Sequence, residues 1–221
     1  MDYIIKTNNL SKQFKSTTAL DNVSLSIPTG AIYGLIGNNG AGKTTLMSIL
    51  STLQKQTSGS ITKATNLKIG ALIEAPAFYP MRSAYGNLKY QKSLLDAKDI
   101  EIKELLALVG LADSKKAVRN YSLGMKQRLG LAMALVGNPD FLILDEPLNG
   151  LDPDGIRDMR SVIVTLNQEY GKTILISSHI LGELQKVATH YGFLKNGKLV
   201  REFSNDVLKT DLETFYFENF A

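Results

Sequence analysis

Cysteine is absent from all 221 residues. That removes disulfide frameworks, thiolate metal sites and cysteine nucleophiles, and it fits a reducing compartment. Long hydrophobic runs are missing too. No apolar stretch nears the roughly 20 residues needed to cross a bilayer, so the chain is not expected to span a membrane by itself. The first residues, MDYIIKTNNLSKQF, have no basic start followed by an apolar run and do not read as a secretory signal. Neither internal repeats nor low-complexity segments occur. Clustered charge is absent as well. The net charge is only +4, the basic residues are dispersed, and the doublet Lys115–Lys116 makes no stripe for nucleic acid.

What is present is a globular balance, with 44% hydrophobic and 21% charged residues. The length suits one domain, or one domain carrying an inserted lobe. Strands are expected at Tyr3–Ile5, at Val23–Ile27 from its alternation, and at Ala31–Ile36 from its unbroken apolar run. A helix is expected over Thr44–Leu50 and a short strand over Ile69–Ile73. From about 84 to 137 the pattern turns helical. Ile102, Leu105, Leu106 and Val109 share one face before Gly110, and Leu129–Val136 is apolar nearly all round. Strands return at Phe141–Leu144 and Thr173–Ile176, joined by a crossover helix over 155–169. Phe193–Val200 reads as a hairpin turning on Asn196-Gly197. From Glu202 onward the sequence carries no clear signal.

Two motifs carry chemistry. Gly37, Asn38, Asn39, Gly40, Ala41, Gly42, Lys43 and Thr44 fit G-x-x-x-x-G-K-[ST] between a buried strand and a helix. Glycine permits the left-handed backbone that turns successive N–H groups toward phosphate oxygens, and the helix start adds its positive end. Lys43 offers a cation to the β and γ phosphates of ATP, and Thr44 a hydroxyl to Mg²⁺. Four apolar residues, 141–144, then deliver Asp145 and Glu146 to the carboxyl edge of a sheet. Asp145 is a candidate to hold Mg²⁺, and Glu146 to orient and deprotonate the attacking water.

The order of these motifs with Tyr121-Ser122-Leu123-Gly124-Met125-Lys126-Gln127-Arg128, Leu144-Asp145-Glu146-Pro147, Leu151-Asp152-Pro153 and Ser177-Ser178-His179 resembles the nucleotide-binding subunits of ABC transporters. The resemblance runs from about residue 3 to 200. It implies an α/β fold: a P-loop NTPase core with a parallel sheet, an N-terminal antiparallel β subdomain and an inserted α-helical subdomain. The core would take 1–73 and 138–200, the helical subdomain 75–137 with the signature motif, and a C-terminal extension 201–221. It implies an ATPase that works as a head-to-tail dimer of two copies, on separate integral membrane permease subunits at the cytoplasmic face of the membrane, with no nucleic-acid partner.

By the same resemblance, Ser122 and Gly124 meet the γ-phosphate held by the other copy, although Leu123 and Met125 depart from the usual LSGGQ. Ser122 also reads directly as the cap of a helix start that can hold an anion. Asp152 matches the loop that communicates across the dimer, and His179 the switch histidine. Phe14 matches the aromatic that stacks on adenine, and Thr45 completes the phosphate-binding set with the loop. Glu74 stands where most members carry a metal-touching glutamine. A glutamate there resembles the lantibiotic self-immunity exporters and, close by, the bacitracin-resistance exporters. That points to export of a peptide antibiotic, with another amphipathic substrate or a lipid as the alternative. A relative acting on DNA would need a coiled-coil insertion, and one acting on the ribosome two cassettes, neither of which is seen. A catalytically dead module is disfavoured by Lys43, Asp145, Glu146 and His179.

Overall fold

Three strands are buried along their whole length: β4 (Ile32–Ile36), β7 (Phe141–Leu144) and β8 (Thr173–Ser177). Their lack of any solvent-facing position requires cover on both faces, and the computed structural model, which describes residues 2–74, 76–208 and 210–220, shows that cover. Successive side chains go to opposite faces. Ile32, Ile36, Leu142, Leu144, Ile174 and Ile176 enter one core, built largely with helices. Tyr33, Leu35, Phe141, Ile143 and Leu175 enter a second core on the other side.

These strands form the centre of a six-stranded sheet with β6 (Ile69–Leu72), β9 (His190–Lys195) and β10 (Lys198–Ser204), in the order β10-β9-β4-β8-β7-β6. All neighbours are parallel except β9 and β10. Asn196 and Gly197 both take positive φ in that hairpin turn, the geometry of a two-residue turn that follows the strands' twist.

The second sheet is antiparallel. In it β1 (Tyr3–Phe14) pairs β2 (Thr17–Val23), β3 (Ser26–Pro28) and β5 (Ser58–Lys63). The strand expected over 23–27 is split here. Thr7 fills the break: its hydroxyl donates to the Val23 carbonyl at 2.9 Å and accepts from the Leu25 N–H at 2.8 Å. The apolar alternation survives, with Val23, Leu25 and Ile27 all buried. The first strand reaches Phe14 instead of ending near Ile5.

Helix α1 (Lys43–Leu50) follows β4. Between β6 and β7 lie α2 (Ala84–Leu94), α3 (Ile102–Leu108) and α4 (Leu123–Leu135). Ala75, where the helical lobe was expected to begin, lies outside the described residues, as does Ala221 at the end of the extension. Helix α5 (Pro153–Gln168) makes the β7–β8 crossover, and the short α6 (Leu181–Gln185) leads from β8 to β9. The signal-poor C-terminal stretch folds into α7 (Leu212–Phe220). Its start is legible in retrospect: Asp211 Oδ1 accepts from the Thr214 N–H at 2.8 Å, capping a helix whose Leu212 is fully buried. That bond also holds the Asp211 carboxyl below its ordinary pKa. Among the described residues, no helix is long and apolar enough to cross a membrane.

Candidate nucleotide site

The loop between β4 and α1 is pressed so closely on its neighbours that side chains are excluded at two positions. A Cβ on Gly37 would stand 2.3 Å from the Leu194 carbonyl oxygen of β9. One on Gly42, whose φ is +106°, would stand 2.6 Å from the Ala19 carbonyl of β2. Glycine is therefore required there for contact as well as for backbone angle. Gly42 is also the N-cap of α1, so the helix start has no capping side chain, and its first turn carries no acid. A helix start without those partners favours an anion.

Lys43 is buried to 7% exposure. Its Nζ donates to the Gly37 carbonyl at 2.6 Å and the Asn38 carbonyl at 3.5 Å, and it lies 3.8 Å from Glu146 Oε1. Ala41 is buried within the loop, whereas Asn38, Asn39 and Gly40 face solvent, and Thr45 is half-buried on the first turn of α1.

The two acids at the end of β7 take different partners. Asp145 Oδ2 accepts from Thr44 Oγ1 at 2.7 Å, and its Oδ1 accepts from Ser177 Oγ at 2.6 Å. The Ser177 hydroxyl in turn accepts from the Glu146 N–H at 2.9 Å. That bond supports Glu146 in a left-handed backbone, φ +49°, which a non-glycine residue rarely adopts. On its far side the Glu146 carboxylate meets His179: Oε2 accepts the His179 backbone N–H at 3.2 Å and lies 2.7 Å from Nδ1. Glu146 thus stands between an ammonium and an imidazole. Ser177 organises both acids, a role that sequence reasoning missed. Its signal was its place at the buried end of a strand parallel to the one bearing them.

Thr44 and Asp145 fit Mg²⁺. Each offers an oxygen, and an ion of this kind keeps several waters and is completed by substrate phosphates rather than by an all-protein cage. Among the described residues, no group of three or more His, Asp or Glu side chains suited to a metal occurs. Glu74 stands apart. With φ +57°, it lines a separate groove of about 590 Å³ with Pro76, Phe78, Pro80, Arg119 and Leu123.

A cleft of about 880 Å³ opens beside the loop, lined by Gly37, Asn38, Asn39, Glu146, Asn149 and His179, among others. Neither this cleft nor the smaller one behind the loop is lined by Ser122 or Gly124. Those two sit at the start of α4, where Ser122 Oγ accepts from the Met125 N–H at 3.3 Å. Phe14 likewise borders neither cleft. It ends β1 at 42% exposure, with the Lys12 ammonium 4.8 Å from its ring centre. Asp152 caps α5, accepting from the Gly155 N–H at 2.8 Å. Leu123 lies against Gly150, where an added Cβ would meet its side chain at 2.6 Å.

A strand, an amide-lined glycine loop, a helix with an open start and a paired acidic strand end define a P-loop nucleoside triphosphatase. The family profile described as ABC transporter matches residues 20–149, and the chain belongs to the ABC transporter ATP-binding family and is an ATPase. A lantibiotic transport ATP-binding protein of Streptococcus pyogenes is 46% identical over 211 residues, 92% of each chain. A bacitracin transport ATP-binding protein of Bacillus licheniformis is 44% identical over 221 residues, 95% of this chain and 72% of that one. Among solved structures, a dimeric post-hydrolysis state of an ATP-binding cassette bound to ADP and phosphate superposes with a TM-score of 0.81 at 25% identity, covering 91% of this chain and 98% of that chain.

Proposed function

We propose that this chain is the ATP-hydrolysing subunit of an exporter that carries a peptide antibiotic of the lantibiotic or bacitracin type through separate membrane permease subunits. The observation that carries the ATPase half is the Glu146 carboxylate held between Lys43 and His179, beside the Thr44–Asp145 pair. The substrate class rests on the relatives named above and on Glu74 in place of the usual glutamine. The chain works at the cytoplasmic face of the membrane. The groove beside Glu74 and Pro76 takes the permease's cytoplasmic helices.

ATP enters with its phosphates against the loop amides from 37 to 45 and its adenine on Phe14. Lys43 leaves the Gly37 and Asn38 carbonyls for the β and γ phosphates. That movement frees Glu146 to accept a proton from water as the water's oxygen attacks the γ phosphorus and ADP departs. His179 steadies the γ-phosphate charge. Mg²⁺, held by Thr44 and by Asp145, would offset the charge that builds on the departing oxygen. Ser122 and Gly124 lie away from the loop within one chain, and this supports a head-to-tail pair in which a second copy's α4 start closes the cage.

The test is Glu146→Gln. Steady-state hydrolysis should fall by roughly 10²–10⁴-fold, while ATP binding persists and sedimentation shows an ATP-dependent dimer. Wild-type turnover in this variant would remove Glu146 as the base.

A further inference from the structure

The C-terminal helix α7 is tied to the phosphate loop across 178 positions of sequence: the Tyr216 hydroxyl donates to Asn38 Oδ1 at 2.7 Å. We infer that Tyr216 is a positioning residue for ATP binding, acting through Asn38 to hold the phosphate loop in its binding shape. This inference rests on the loop being the ATP site, as proposed above.

The helix is well placed for that work because it is anchored at several points. Leu212 is fully buried, and its N–H donates to Gln185 Oε1 of α6 at 2.9 Å. The Phe215 ring meets Phe203 of β10 edge-on, with centres 5.1 Å apart. The Tyr216 ring stacks on Phe193 of β9 at 6.1 Å and 23°. The residue after Phe193 is Leu194, whose carbonyl presses on Gly37. Helix α7, strand β9 and the start of the loop therefore form one packed unit, and the aromatic stack aims the Tyr216 hydroxyl at the loop.

Asn38 needs such a tie. It is exposed, on the solvent side of the loop. Yet its carbonyl takes part in the loop's internal bonds, accepting from the Ala41 N–H at 3.0 Å and from Lys43 Nζ at 3.5 Å. When phosphate draws Lys43 away, the Asn38 carbonyl loses that donor while its side chain keeps Tyr216. The residue stays in register and the amides remain convergent. Preorganisation of this kind lowers the cost of binding. It acts on bound ATP and on the transition state alike, so it should appear in KM and not in kcat.

The experiment compares the full chain with Tyr216→Phe, Asn38→Ala and the double variant, by equilibrium binding of ATP with Mg²⁺ and by steady-state hydrolysis. Tyr216→Phe keeps the ring stack and removes only the hydroxyl. A single hydrogen bond of ordinary strength corresponds to a roughly 3–10-fold change. Each single variant should therefore raise Kd and KM for ATP by about that factor, with kcat within about twofold of wild type. The double variant should be no weaker than Asn38→Ala alone. Unchanged Kd in Tyr216→Phe, additive losses in the double variant, or a loss confined to kcat would each overturn the assignment. Failure of the wild-type chain itself to bind ATP would instead overturn the reading of the site.

Discussion

Helices α1 and α5 both begin just beyond the carboxyl edge of the same sheet, α1 after β4 and α5 after β7, yet their starts are electrostatic opposites. The start of α1 has a left-handed glycine as its N-cap, hence no capping side chain, and no acid in its first turn. The start of α5 has Asp152 as an N-cap, Pro153 in its first turn and Asp154 just after it. Both carry the same partial positive charge from aligned peptide dipoles. In α5 the protein's own carboxylates satisfy that charge, so the helix is stable and indifferent to ligand. In α1 the charge is left for something else to satisfy. The difference teaches that an anion site is made by what is withheld from a helix start as much as by what is placed there.

Thr45→Asp would break the contrast most severely, by giving α1 the acid that α5 already has. The new carboxylate favours the helix start itself by about 0.3–1 kcal/mol while repelling phosphate and displacing the native hydroxyl. ATP affinity should drop at least about tenfold, a loss of roughly 1.4 kcal/mol, with thermal stability little changed. Titration calorimetry and a melting curve separate the two effects, and a joint collapse of both would show damage to the fold instead.

Asp152→Ala should do the reverse. Loss of the cap costs about 1 kcal/mol of unfolding free energy, read by urea denaturation without nucleotide, and leaves ATP binding to the single chain intact. A weakened affinity there would mean that the α5 start is not separate from the site.

The smallest effect concerns the tie between α5 and the α6 segment that follows His179. Glu183 of α6 bonds Lys186 at 2.6 Å and Arg160 of α5 at 2.5 Å. These bonds, the one from Lys186 foremost, hold its carboxyl below the ordinary pKa of 4.5. A lowered carboxyl pKa in the folded state contributes stability that is complete above the unfolded value and is lost as pH falls through the folded one. Wild type should therefore melt slightly above Glu183→Gln at neutral pH, and the two curves should converge below pH 4.5. A gap that persists in acid would trace the effect to packing.

Much of this arrangement can be read from the residues because it is local. The glycine loop, the apolar run ending in Asp145-Glu146 and the Asp152-Pro153 helix start are contiguous stretches whose pattern dictates backbone geometry. The split at Ser24 was hidden because it depends on a Thr7 hydroxyl from another strand. β5, with the sequence SGSITK, shows no apolar alternation and is held by its pairing with β1. In the site, Glu146 and His179 were legible one by one. The left-handed backbone of Glu146, the Ser177 bridge between two acids and the Tyr216–Asn38 bond were not, because each joins elements far apart in the chain.

The most direct measurement is equilibrium binding of labelled ATP, with magnesium, to the wild-type chain and to Lys43→Ala side by side. Wild type should hold the nucleotide, and the variant should bind roughly 10–100-fold more weakly, because it loses a charge-assisted contact to phosphate. Equal binding by the two chains, or none by wild type, would contradict the assignment of the open α1 start as the triphosphate site.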